Sequence, residues 1–158
     1  LGTLTGGWQR CSVGRREENA MVRGSCFCGG IRFEARTVPL LTTCHCSKCR
    51  KSRGAGFSVT ASVPLRDFRF LQGEDLLQIY QPPGGGYSPG FCRVCGSSAP
   101  WVVEDRQLVF IPAGLLDDDP GVRPALHMFV GSKAPWWDIT DHLPQFREWV
   151  PGYEPPQS

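Results

Sequence analysis

The sequence has almost no excess of either charge. Its 158 residues give a net value of +2 at pH 7, and no lysine-rich tract interrupts the mixture. A charge that small excludes a generic electrostatic grip on nucleic acid or on an anionic membrane surface, so the expected partners are small molecules or another protein. No apolar run approaches the roughly twenty residues that a membrane-spanning helix needs. The first residues lack the charged head and apolar stretch of a secretory signal, and the expected setting is therefore cytoplasmic. Long helices are not expected either. Glycine (19) and proline (14) are abundant; glycine weakens regular backbone through its entropy, and proline fixes φ and removes a donor. No internal repeat is evident beyond recurring pairs of cysteines.

What is present suits one compact domain: 41% of residues are hydrophobic and 20% charged, in a length that supports a single modest core. Residues 1–20 show neither helical nor strand periodicity and read as a leader or tail without fixed structure, leaving Cys11 outside the pattern that begins after Met21. A folded unit is expected over 21–150 and a short tail over 151–158. Alternation of apolar with polar or small residues predicts strands over Ile31–Arg36, Phe57–Val63, Asp67–Phe70, Leu76–Gln81, Ala99–Val103, Leu108–Pro112 and His127–Val130. Cys46–Arg53 and Gln145–Val150 are each long enough for a single helical turn. Pro82 and Pro83 followed by Gly84, Gly85 and Gly86 mark a loop, either a lid or a plain connection. The expected class is mainly β.

Eight cysteines in a reducing compartment read as metal ligands or redox groups before disulfides. Seven fall in three groups: Cys26 and Cys28 in SCFCGG, Cys44, Cys46 and Cys49 in CHCSKCR, and Cys92 and Cys95 in FCRVCGS. Zinc takes sulfurs at about 2.3 Å in a tetrahedron, and ligands two or three positions apart on a tight turn reach one ion together. Two pairs complete one set of four thiolates. The triplet then has no cysteine left to complete it, so counting predicts a closed structural zinc site and a second site with an open position. Gly29, Gly30 and Gly96 follow the pairs and supply the positive φ such turns use. Lys48, Arg50, Lys51 and Arg53 crowd the triplet, where positive charge favours thiolate and attracts anions. A second structural zinc with a distant histidine or carboxylate ligand is the alternative. His45, between two ligands, reads as a surface or satisfied histidine, with proton transfer as the sharper possibility.

Taken together, GSCFCGGIRFEA, CHCSKCRKSRG, GFCRVCGSSAP and HMFVGSKAPWWDITDHLPQF resemble the glutathione-dependent formaldehyde-activating enzymes, whose domain is also called the GFA or CENP-V type, from about Met21 to Phe146. The resemblance implies an Mss4-like fold of small β-sheets organised around zinc. It implies that Cys26, Cys28, Cys92 and Cys95 hold a structural zinc, and that Cys44, Cys46 and Cys49 hold a catalytic one. It also implies a carbon–sulfur lyase run in reverse, joining formaldehyde or a similar small aldehyde to glutathione or another small thiol. Whether thiol sulfur or aldehyde oxygen fills the open position is not decided by the residues. The two glutathione carboxylates direct attention to Arg50, Lys51, Arg53 and Lys133, Arg50 and Lys51 first. Trp136 and Trp137 either wall the pocket or join the core. His127 reads as a satisfied core histidine at the start of an apolar strand, with Asp141 and His142 as remoter proton carriers. Two other readings compete: a non-catalytic zinc-held binding module, and a redox sensor whose triplet loses metal and forms a disulfide.

Overall fold

The computed structural model describes residues 21–84 and 87–151; the expected leader with Cys11, Gly85 and Gly86 of the glycine loop, and nearly all of the expected tail lie outside it. Ten strands form three sheets among the described residues. β1 (Val22–Ser25), β2 (Arg32–Ala35) and β5 (Phe68–Gln72) make an antiparallel sheet in the order β1-β2-β5. A larger sheet has the order β10-β3-β4-β9-β8, built from β3 (Leu40–Cys44), β4 (Ser58–Pro64), β8 (Trp101–Val103), β9 (Leu108–Pro112) and β10 (Pro124–Met128). β10 joins β3 in parallel, unlike the other pairs. β6 (Leu77–Ile79) and β7 (Gly90–Cys92) form a separate ribbon.

The main core lies between the first two sheets. Val22, Phe33 and Ala35 from one face Leu41, Ala61, Val63, Val109 and Ile111 from the other, and all are buried. Period-2 alternation puts them there: Ala61 pairs with Ile111 and Val63 with Val109 across β4 and β9, so one face of each strand is apolar. Glu34 is buried in this region, and Arg69, its cross-strand partner on β5, meets its carboxylate at 2.5 Å. A smaller cluster of Cys26, Ile31, Cys92 and Ala99 ties the β6–β7 ribbon to the β1–β2 turn.

The mainly β reading holds, and the strand over Leu108–Pro112 has the expected bounds. Three short strands escaped the sequence reading, β1, β3 and β7, because Val22–Ser25 and Gly90–Cys92 are too brief for a period and Leu40–Cys44 is almost wholly buried. The strand expected over His127–Val130 instead spans Pro124–Met128, which puts His127 near its end. The helical turn expected over Gln145–Val150 is corrected. That segment runs beside β10, with Gln145 bridged to His127, His127 N–H donating to the Pro144 carbonyl, and Phe146 N–H returning to His127. Six residues cannot offset helix nucleation when a strand edge offers partners at once.

The single α-helix among the described residues, α1 (Ser47–Arg53), begins where the Cys46 sulfur accepts from the Cys49 N–H. It ends at Gly54, which takes the left-handed conformation at φ 61° that favours glycine. Arg50, Lys51 and Arg53 fill its last turn, where cations complement the helix dipole.

Candidate functional site

The two cysteine pairs converge. Cys26 and Cys28 lie in the β1–β2 connection, Cys92 ends β7 and Cys95 follows in the next turn, and the four sulfurs lie within 4.8 Å of one another. Cys26 and Cys28 Sγ stand 3.5 Å apart and Cys28 and Cys92 Sγ 3.9 Å apart. Sulfurs bound at about 2.3 Å in a tetrahedron would be about 3.8 Å apart, so the cage fits one ion of zinc's size and geometry. Each turn is closed by its own backbone, Gly29 N–H to the Cys26 carbonyl and Gly96 N–H to that of Cys92, both at 2.8 Å. Gly29 and Gly96 have φ near +72° and +73°, the conformations that the glycines after each pair were expected to supply.

Backbone donors face the sulfurs. Burial pushes the Cys26 thiol up, but the Ile31 N–H at 3.2 Å and the neighbouring thiols bring it below its ordinary value. Ser97, through its hydroxyl and its N–H, holds Cys95 down at about 6. The Ser97 hydroxyl also accepts from the Phe27 N–H at 3.0 Å, joining the two turns. These contacts stabilise thiolate, the form that binds metal.

The triplet also converges. Cys44 ends β3, Cys46 caps α1 and Cys49 sits in its first turn, and their sulfurs lie within 4.8 Å of one another. The Cys49 N–H reaches Cys46 Sγ at 3.3 Å. The three sulfurs resist ionising together: the Cys44 and Cys49 thiols pull Cys46 far down, while Cys46 pushes Cys44 up to about 11 and Cys44 and Cys46 push Cys49 up. A divalent cation is what allows all three to ionise, and this donor set fits one. Among the described residues, three donors make up the group, where the other cluster has four.

His45 faces the other way. Its ring is fully buried, a correction to the surface reading, and Nε2 lies 2.8 Å from His127 Nδ1. His127 Nε2 lies 3.1 Å from both Asp141 carboxylate oxygens. The Leu143 N–H holds the Asp141 carboxyl below its ordinary value, with His127 adding to the effect against its desolvation. An ionised Asp141 accepts from His127 Nε2–H, so His127 Nδ1 accepts from His45 Nε2–H. His45 Nδ1 is then an enclosed acceptor with no partner among the described residues. Burial first, with the positive charge of Lys133 adding to it, pushes the His45 pKa down, so the ring is neutral. His127 is the satisfied histidine expected, and Asp141 is the group that satisfies it.

The basic residues separate by what they already hold. Arg50 donates from Nε to the His45 carbonyl at 3.3 Å and from Nη2 to that of Ser132 at 3.4 Å. Lys133 Nζ donates to the Trp137 carbonyl at 2.7 Å. Lys51 is exposed on α1. Trp136 and Trp137 are not core residues: they are 67% and 36% exposed, and Trp137 meets Phe57 edge-on at 5.0 Å, with Phe57 in turn 5.7 Å from His45. Gly56 leaves room for that tryptophan, since a Cβ there would sit 2.9 Å from its ring. Tyr87 carried no motif and was not singled out in the sequence. It reaches Ser52 Oγ at 3.5 Å, and burial pushes its pKa up, with Arg53, Cys49 and Cys46 close enough to act on it.

A model of the family described as glutathione-dependent formaldehyde-activating enzyme matches residues 21–132. This chain belongs to that family. The match begins at Met21, as the motifs suggested, and stops short of the SKAPWWDITDHLPQF stretch except for its first residue. A Halomonas elongata protein whose name carries the same description is 34% identical over 130 residues, covering 75% of this chain and 81% of that one. A Rhodobacter sphaeroides protein of known crystal structure is similar at TM-score 0.50 and 27% identity, over 65% of this chain and 91% of that chain. The small-sheet architecture is of the Mss4-like kind. Two clusters able to hold metal are thus part of a member of this family.

Proposed function

We propose that this family member joins a small aldehyde, formaldehyde in the first instance, to glutathione or a similar small thiol, and that zinc at the Cys44, Cys46 and Cys49 cluster is the reaction centre. The observation that carries the reading is the inequality between the clusters: four converging sulfurs in one, three in the other. The histidine lying between the triplet's ligands is engaged with His127 instead. Zinc held by three thiolates supplies, when bound, a Lewis-acidic position that activates a thiol or polarises a carbonyl.

The chain's own residues then hold and orient. The β3 end and the α1 cap fix the three sulfurs on two rigid elements. Arg50, by bonding the His45 and Ser132 carbonyls, braces the loop that carries Cys44 and Cys46, and its charge remains as a field favouring thiolate and an anionic thiol partner. Lys51, exposed on the same helix, contributes charge at the entrance, while Lys133 fixes the Trp136–Trp137 turn as an apolar wall. The four-cysteine cluster takes the structural zinc. A cytoplasmic setting keeps both clusters reduced.

Zinc-loaded protein should form S-hydroxymethylglutathione faster than zinc-free protein, since aldehyde and thiol already combine unaided. Cobalt substituted at the triplet should change its absorption when glutathione is added. No rate above the metal-free control, together with an unperturbed cobalt spectrum, would remove the reading.

A further inference from the structure

Arg53, near the triplet, has an enclosed N–H without an acceptor among the described residues. It ends α1, one helical turn beyond Cys49, so the two side chains share a face. Its Nε donates to the Ser58 hydroxyl at 3.4 Å, while Nη1 is enclosed with no acceptor among the described residues. A guanidinium is always charged, and an enclosed N–H without an acceptor on such a group is costly, so a missing acceptor is the feature to explain. No carboxylate among the described residues forms an ion pair with it.

An open cavity lies beside Arg53. Arg53, Phe57, Ser58, Ser97 and Ser98 line a cavity of about 370 Å³, within the range of small-molecule pockets. Three of these are serines, and Gly114, where a Cβ would meet nothing within 4 Å, also lines it. The cavity adjoins the triplet by the sheet register: Ser58 on β4 is directly opposite Cys44 on β3, which places their side chains on one face. Tyr87, whose hydroxyl lies 3.5 Å from Ser52 Oγ on the same helix as Arg53 and Cys49, is a further polar group nearby.

We infer that the Arg53 cavity is a carboxylate subsite, and that it restricts the thiol partner to those carrying a carboxylate within a peptide-sized reach of the sulfur. The carboxylate accepts from the guanidinium fork, with the serine hydroxyls beside it, while the thiol lies at the triplet. Nη1 is enclosed as the side chain lies, so the paired contact forms as the guanidinium turns about its terminal bonds toward the cavity. This rests on the proposed thiol chemistry for its substrate, and it moves carboxylate recognition from Arg50 and Lys51, whose charges act at a distance, to Arg53.

Binding of S-methylglutathione tests it without any sulfur reaction, measured by calorimetry on the zinc-loaded protein, alongside its glycine ethyl ester and its diester. A charge-assisted arginine–carboxylate pair is expected to make the free acid bind roughly 10- to 100-fold more tightly than one of the esters. In Arg53→Gln that preference should vanish, and in Arg53→Lys it should fall but persist. Equal affinity of acid and both esters for the wild type overturns the inference even if glutathione still perturbs the triplet metal. An acid preference that survives in Arg53→Gln also overturns it, and assigns the carboxylate to another residue. If the acid preference depends on Arg53 but the chain forms no thiol–aldehyde adduct, the subsite stands and the proposed reaction falls. Should Arg53→Gln fail to fold, the acid-to-ester ratio in wild type and Arg53→Lys still decides.

Discussion

Cys92→Ser should cost the zinc-loaded protein far more stability than Cys49→Ser, although each removes one sulfur from a metal cluster. Cys92 is fully buried and sits in the cluster that joins positions 64 apart, Cys28 to Cys92. Treated as a cross-link, closing a loop of about 65 residues removes about 4 kcal/mol of unfolded-chain entropy, whereas the short span from Cys44 to Cys49 removes about 2 kcal/mol. Domain stabilities are about 5–15 kcal/mol, so loss of the long link alone consumes much of the total. The small core that would remain around the broken cage is Ile31 and Ala99 with Leu76 and Leu77 packed on them, too little to hold the β6–β7 ribbon. Urea unfolding in reducing buffer with zinc should show the larger loss for Cys92→Ser. Hydrogen exchange should show lost protection first in Leu77–Ile79 and Gly90–Cys92, with β3, β4 and β9 protected longer. Equal destabilisation by both variants, with the β6–β7 amides as protected as before, would refute the cross-link reasoning.

Gly73→Ala should destabilise by at least about 1–2 kcal/mol in thermal or urea unfolding, because φ is +73° and a Cβ would press on the Gly30 backbone beside the first cysteine pair; an unchanged midpoint would contradict it. His127→Phe leaves His45 Nε2 without its partner in a buried site, and about 1–3 kcal/mol of stability should be lost, measured against Phe129→Leu as a control for packing in the same segment. Asp141 titrates below its ordinary 3.8 when folded, so the unfolded chain binds its proton more readily. Its contribution is therefore complete above about pH 3.8 and is lost as pH falls through the lower folded value. The stability difference between wild type and Asp141→Asn should be flat from pH 7 to 5 and shrink only below pH 4; a difference that grows on acidification would reverse the sign.

The cysteine groups were legible in the sequence because their spacing is local: CxC, CxCxxC and CxxC are each built within one turn, so pairing and counting sufficed to place seven sulfurs in two clusters. Two strands of the main core, β4 and β9, were legible for the same kind of reason, since Ala61, Val63, Val109 and Ile111 repeat at period 2. What stayed hidden depends on partners distant in the chain. The sequence left His45 as either a surface or a satisfied histidine, and only β10 and the 141–143 turn, which bring His127 and Asp141 behind it, decide for the buried one. Trp136 and Trp137 looked like core because of their size, but the turn closed by Trp137 N–H on the Ala134 carbonyl holds them outward. Arg53 was one of four similar basic residues, and only the three-dimensional bonding separates it from Arg50 and Lys133, which donate to backbone carbonyls.

The most direct test is an anomalous-diffraction map of zinc-loaded crystals, with and without glutathione. Two zinc peaks are expected, one with four sulfur ligands at Cys26, Cys28, Cys92 and Cys95, and one with three at Cys44, Cys46 and Cys49 and a fourth position that changes when glutathione enters. A protein side chain occupying that fourth position in both maps, or no zinc at the triplet, would contradict the account.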